Sequence, residues 1–150
     1  MKKFVILFLS IALCLLFTGC SKRSDSQSKT TSGVSVDEAK SKLEEVYTRY
    51  HEEFDYNYVL GTTKYFNLSS DKSSLKVDSC FNDNSVDDDP KVIEAIFNIN
   101  SELGLPSSIT TKMEATSSMD GMQSEDCGVY TVTWTYHPDR GLEVTYDVNQ

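Results

Sequence analysis

Two seven-residue runs near the C-terminus constrain the fold of this chain most. Tyr130, Val132, Trp134 and Tyr136 alternate with Thr131, Thr133 and Thr135, and Leu142, Val144, Tyr146 and Val148 alternate with Glu143, Thr145 and Asp147. A period of two puts each apolar set on one face of a strand and each polar set on the other. Between the runs, His137-Pro138-Asp139-Arg140-Gly141 suits a type I turn closed by a left-handed glycine, with proline fixing φ early in the turn. The expectation is a β-hairpin whose aromatic and aliphatic face must be covered by another layer.

Helical patterns supply that layer. Val36, Ala39, Leu43, Val46, Tyr47, Tyr50, Phe54 and Tyr58 recur at three- and four-residue steps, with Ser35 as the expected N-cap and Asp37 and Glu38 at the positive end of the helix dipole. Past Gly61 the pattern is open to two readings. Tyr65 and Leu68 keep a helical step, whereas Thr62-Thr63 and Tyr65-Phe66 suit a strand. A second helix is expected to begin at Pro90, capped by Asp87-Asp88-Asp89, with Val92, Ile93, Ile96, Phe97 and Leu103 on its apolar face and Gly104 and Pro106 stopping it. Ser107 is the expected cap of a shorter helix through Ile109 and Met113 that ends before the Asp120-Gly121 turn. Leu75 and Val77, alternating with Lys76 and Asp78, predict a short half-buried strand ending near Cys80. Together these elements predict an α+β domain, with two main helices packed on a small antiparallel sheet that ends in the C-terminal hairpin.

The N-terminus carries an address. Lys2 and Lys3 precede an apolar run from Phe4 to Phe17, and Thr18-Gly19 are the small residues a signal peptidase needs before its cut. The run is short of the about 20 apolar residues that cross a bilayer. Leu16-Phe17-Thr18-Gly19-Cys20 resembles the signal of bacterial lipoproteins, with Phe17 at a position where leucine is most common. The resemblance implies removal of residues 1–19, diacylation of Cys20, and a palmitate-type anchor on the outer face of the cytoplasmic membrane. Acyl chains on one cysteine anchor a protein without spanning. Residues 20–35, rich in Ser, Thr, Lys and Gln, read as a disordered tether. As a flexible coil it would hold the following domain on the order of 20 Å from the lipid.

The remaining segment, 36–150, holds 9 basic and 22 acidic residues. Such a body repels phosphate backbones, which argues against nucleic-acid binding. Its 115 residues are enough to close one hydrophobic core. The chain as a whole resembles the small lipoproteins of Gram-positive bacteria, including its segment Trp134-Thr135-Tyr136-His137-Pro138-Asp139-Arg140-Gly141-Leu142.

Candidate sites are few. Asp83, Ser85, Asp87 and Glu94 place oxygen donors at offsets like those of a calcium loop, but Asp88 stands where that loop needs glycine and Pro90 where it pairs. A solvated loop capping the following helix is therefore the expectation, and no metal or cofactor is assigned. With Cys14 removed and Cys20 acylated, Cys80 and Cys127 form an even pair in an exported domain, which suggests a disulfide. Tyr130, Trp134, Tyr136 and Tyr146 are a candidate aromatic ligand platform, although strand alternation more often marks such residues as core. His51 reads as a helix-surface residue, and His137 as part of the hairpin turn, oriented by Asp139. Ser117, Ser118 and Ser124 lack any nucleophile motif, and no glycine-rich phosphate loop occurs. The sequence thus predicts a non-enzymatic, membrane-anchored binding or interaction module with a protein or small-molecule partner. The alternatives are a cell-envelope hydrolase that uses carboxylates, or a structural or immunity-type surface lipoprotein.

Overall fold

A computed structural model describes residues 33–54, 65–80 and 90–150. They belong to one compact unit, Thr31–Gln150. The signal segment, Cys20, most of the tether, the Asp87-Asp88-Asp89 cap, and the calcium candidates Asp83, Ser85 and Asp87 lie outside the described residues. The same holds for Tyr58 and for the course of the chain around Gly61.

The described elements run α1 (Val36–Phe54), β1 (Phe66–Leu68), β2 (Ser74–Asp78), α2 (Pro90–Glu102), α3 (Ser107–Ala115), β3 (Gln123–Cys127), β4 (Tyr130–His137) and β5 (Gly141–Val148). The strands form one antiparallel sheet in the order β1-β2-β5-β4-β3. This is an α+β fold, as the sequence predicts. Among the described residues no helix is long and apolar enough to cross a membrane.

The predicted hairpin forms. β4 and β5 pair Tyr130 with Val148, Val132 with Tyr146, Trp134 with Val144 and Tyr136 with Leu142, so the apolar side chains of both strands meet on one face. The Arg140 N–H donates to His137 O at 3.2 Å, and Gly141 takes the left-handed φ of 73° that the turn requires. On the far side of β5, Leu75 pairs with Tyr146 and Val77 with Val144. Phe66 and Leu68 then extend the apolar face through β1, so of the stretch left open beyond Gly61 the described part, Phe66–Leu68, is a strand.

The helices cover that face. Ser35 caps α1 by accepting the Glu38 N–H at 3.2 Å, and Ala39, Leu43, Val46 and Tyr50 are the residues α1 buries. α2 starts at Pro90, where a missing N–H costs nothing, and it buries Val92, Ala95, Ile96 and Ile99. For α3 the expectation needs a correction. Its N-cap is Pro106, with no side-chain cap, and Ser107 is the first helical residue. Ile109 and Met113 are its buried residues.

One strand is invisible to the hydrophobic pattern. β3, Gln-Ser-Glu-Asp-Cys, is polar but for Cys127, which packs against the core, and sits at the sheet edge beside β4. Register with its neighbour holds it there, with Ser124 Oγ 3.1 Å from Thr133 Oγ1 and Glu125 in an ion pair with Lys112 of α3. Charged and polar side chains are also what keep an edge strand from pairing with another chain.

Candidate functional site

The face of the sheet turned away from the helices is built from the polar half of each strand pattern. Strand register lays these residues out in rows. The middle row runs Ser124, Thr133, Thr145, Lys76 and Asn67, one residue from each of the five strands. On one side lie Asp126, Thr131, Asp147 and Ser74, and on the other Thr135, Glu143 and Asp78. Asn67, Lys76, Ser124 and Asp126 are exposed. Four carboxylates thus border a row whose one charged member is Lys76, which makes the face a hydroxyl-lined surface of negative character.

Its hydroxyls are oriented by neighbours. Thr131 Oγ1 lies 2.7 Å from both Asp126 Oδ1 and Asn149 Oδ1; its single proton serves one of them at a time, and the Asp126 carboxylate is the stronger acceptor. The Asn149 amide donates in turn to Gly128 O at 3.1 Å. This corner is therefore fixed by its own bonds.

At the opposite end the row of Thr135, Glu143 and Asp78 runs into a concavity of about 360 Å³, which His137, Arg140, Tyr136 and Met122 also border. Asp78 and Glu143 are directly opposed across β2 and β5. Lys76 Nζ lies 2.7 Å from Glu143 Oε2, while Arg140 sits 3.7 Å from Asp78 Oδ2 and 3.9 Å from Glu143 Oε2. Asp78 Oδ1 also accepts the Cys80 N–H at 3.1 Å. Burial raises the Asp78 carboxyl above its ordinary range, and the Glu143 charge adds to the rise, against the pull of the Cys80 N–H, Lys76 and Arg140. The arrangement can hold a cation or accept hydrogen bonds from a polar ligand.

Beneath this end Ser79 is fully buried and joins β2 to β5 through both backbone and side chain. Its N–H donates to Leu142 O at 2.9 Å, and its hydroxyl oxygen accepts the Leu142 N–H at 2.9 Å. The bond locks the strand end that carries Asp78.

A larger depression, about 420 Å³, borders α1 at Val34, Glu38, Lys42, Glu45, Glu102 and Tyr130. Its charges are paired along the helix surface. Lys42 lies 3.0 Å from Glu45 Oε2 and Arg49 2.9 Å from Glu45 Oε1, and Lys42 foremost holds the Glu45 carboxyl below its ordinary range. Exposed pairs of this kind add little stability.

The aromatic platform is corrected by burial. Tyr130, Trp134 and Tyr146 are 2%, 3% and 0% exposed, and Tyr136 is partly buried against the same core. A sheet of this size needs those side chains inside, because the helices have no other large apolar surface to cover. Trp134 Nε1–H donates to Thr116 Oγ1 at 2.9 Å, which satisfies its polar edge.

The disulfide is corrected by register. Cys127 lies level with Tyr130, Val148 and, by the Val148 N–H bond to its carbonyl, Ser73, whereas Cys80 follows the other end of β2. Three strand spacings and seven residues of rise put the two α-carbons more than about 20 Å apart, far beyond the about 7 Å limit for a bridge. No disulfide joins them. Cys80 is buried and Cys127 half-buried.

His51 is half-buried and stacks on Tyr47, with centroids 4.8 Å apart, as a residue on the α1 surface. His137 is exposed at the hairpin turn. Glu94 is exposed on α2, and among the described residues no group of three or more His, Cys, Asp or Glu side chains is placed to hold a metal ion.

Asn100 is the polar residue that hydrophobic patterning misses. It is 2% exposed within the core, on the buried side of α2, and its bonds come from two other elements, Thr110 of α3 and Tyr146 of β5. A scan against protein-family models finds no match, and searches of the curated proteins and of the solved structures find none either.

Proposed function

We propose that this protein is a lipid-anchored extracytoplasmic binding module, held at the outer face of the cytoplasmic membrane through Cys20, that engages its partner with the open polar face of the sheet. One observation carries the reading. The sheet commits its aromatic side chains to the core and leaves a polar surface in register across all five strands, with acids along both margins. Charge of this sign selects a partner with basic groups. The tether gives the domain reach while the anchor keeps it near the membrane.

Pull-down of the acylated protein from its own envelope, with Cys20→Ser as control, tests the binding. The expected result is a specific partner recovered by the acylated form. Recovery of none counts against the reading. Palmitate labelling tests the anchor, and label retained after Cys20→Ser refutes that attachment site.

A second reading, a cell-envelope hydrolase, draws on the opposed pair Asp78 and Glu143, because two facing carboxyls, of which burial raises Asp78, are the groups that acid and base roles need. Lys76 and Arg140 bear on that pair, and cations so close suit binding better than proton transfer. Hydrolysis of an envelope substrate that disappears in Asp78→Asn would favour the enzyme.

A further inference from the structure

The row of Thr135, Glu143 and Asp78 on the open face has a fourth member just outside β3. Gln123, the first residue of β3, pairs with Trp134, so Met122 stands level with Thr135. All four residues border the hairpin-end concavity, and the thioether therefore shares a rim with the two carboxylates. Met122 is 74% exposed. Of the other exposed large apolar residues among the described ones, Val34, Val36 and Met119, none borders this concavity.

The chain around Met122 is fixed on both sides. Asp120 Oδ2 accepts the backbone N–H and the hydroxyl of Ser117 at 2.7 Å each, and the Gln123 side-chain amide donates to Asp120 O at 2.7 Å. Between them Gly121 takes the left-handed φ of 64° that the turn requires. The fold thus presents this side chain at the rim.

What distinguishes a thioether from its neighbours there is two-electron oxidation to the sulfoxide. A peroxide suffices as oxidant. The sulfur lone pair attacks one peroxide oxygen and the O–O bond breaks; the proton on the transferred oxygen passes to the departing hydroxide, which leaves as water. Access selects the sulfur. Met119 is 94% exposed, whereas Met113 is 3% exposed and its Sδ accepts the Asn100 amide at 3.4 Å inside the core. The product replaces an apolar tip with a polar, hydrated one. A partner that covers the rim would have to bury that oxygen, and its basic groups are drawn first to the charged carboxylates of Asp78 and Glu143.

Taking the open face as the partner surface, we propose that Met122 is a reversible oxidation site that regulates it: a peroxide converts Met122 to the sulfoxide and so weakens the hold on the partner. Met119 reacts as readily but lies off the concavity, so its oxidation leaves binding unchanged.

The acylated protein is treated with hydrogen peroxide, cleared of oxidant with catalase, and used in pull-down from the native envelope beside untreated protein. Mass analysis should show one added oxygen on each of Met119 and Met122 and none on Met113. Treatment should lower partner recovery by about fivefold or more, the order expected when a polar atom is buried without its hydrogen bond, and methionine sulfoxide reductases should restore it. Met119→Leu should lose recovery on treatment as wild type does. Met122→Leu, a volume-conserving change at an exposed site, should bind before and after treatment alike. It keeps both cysteines, so a loss that persists in Met122→Leu would come from elsewhere and overturn the proposal. Undiminished recovery by treated wild type would also overturn it while leaving the partner face in place, as would a Met122 that stays unoxidised where Met119 reacts. If untreated protein recovers no partner, the partner face and its regulation fall together.

Discussion

The Tyr146 hydroxyl lies 2.8 Å from Asn100 Oδ1, and this contact ties the central strand of the sheet to α2 inside the core. Ile96 O is also near, at 3.4 Å, but the hydroxyl has one proton and the shorter contact takes it. Asn100 passes the connection on, its amide donating to Thr110 Oγ1 at 3.1 Å and to Met113 Sδ at 3.4 Å on α3. Three elements thus meet at one side chain. Tyr146→Phe leaves the Asn100 carbonyl without its donor and should cost about 1–3 kcal/mol. Urea unfolding followed by the fluorescence of Trp134, the single tryptophan, measures it, with an unchanged midpoint as the contrary result.

Stability should fall in alkali. Burial, then the hydrogen bond to Glu102 and its charge, push the Tyr50 hydroxyl from 10.0 up to about 12. A group whose folded pKa lies above its unfolded value contributes stability that is full below the unfolded pKa and is lost as pH rises toward the folded one. The window for Tyr50 is therefore pH 10 to about 12. Urea midpoints across that range should decline, and Tyr50→Phe should decline less steeply. Some slope should remain, because burial also raises Tyr130 and Tyr146.

Asp78 makes the opposite kind of contribution to what a surface carboxylate makes. Burial raises it, so its ionisation works against the fold as pH rises through its folded pKa. Asp78→Asn keeps an oxygen to accept the Cys80 N–H and removes the charge. Its melting temperature relative to wild type should therefore be more favourable at pH 7 than at pH 3. The loss of Arg140, a partner at 3.7 Å, offsets little of this. A difference that is constant with pH, or that runs the other way, would show that burial does not control this carboxyl.

Cys80 and Cys127 should behave as separate thiols even in an oxidising compartment. Reduction with dithiothreitol should leave the melting temperature unchanged, and non-reducing mass analysis should show no internal crosslink. Burial and the neighbouring Glu125 raise the Cys127 thiol, so its alkylation at neutral pH should be slower than that of a free cysteine. A loss of melting temperature on reduction would contradict the strand register.

Much of this fold is legible from residue periodicity. The hairpin, the Ser35 cap of α1 and the proline start of α2 each depend on a few adjacent residues, and each forms as those residues dictate. Features decided by tertiary contact are less legible. β3 is held by register and by Lys112 rather than by an apolar face, so alternation does not reveal it. Asn100 reads as a break in the α2 stripe until Tyr146 is folded against it. The cysteine pair misleads because count and compartment carry no information on distance. The polar rows of the open face do follow from the alternation, but their alignment across five strands depends on how β2 docks on β5.

The central claim is that the open sheet face binds the partner. Thr133→Arg combined with Thr145→Arg puts two large cations in the middle of that face, on side chains that do not enter the core. The most direct measurement compares acylated wild type with this double variant in pull-down from the native envelope, after matching their melting temperatures. The account predicts that wild type recovers a specific partner and that the variant, folded and anchored alike, recovers it poorly. Equal recovery by both proteins would contradict it.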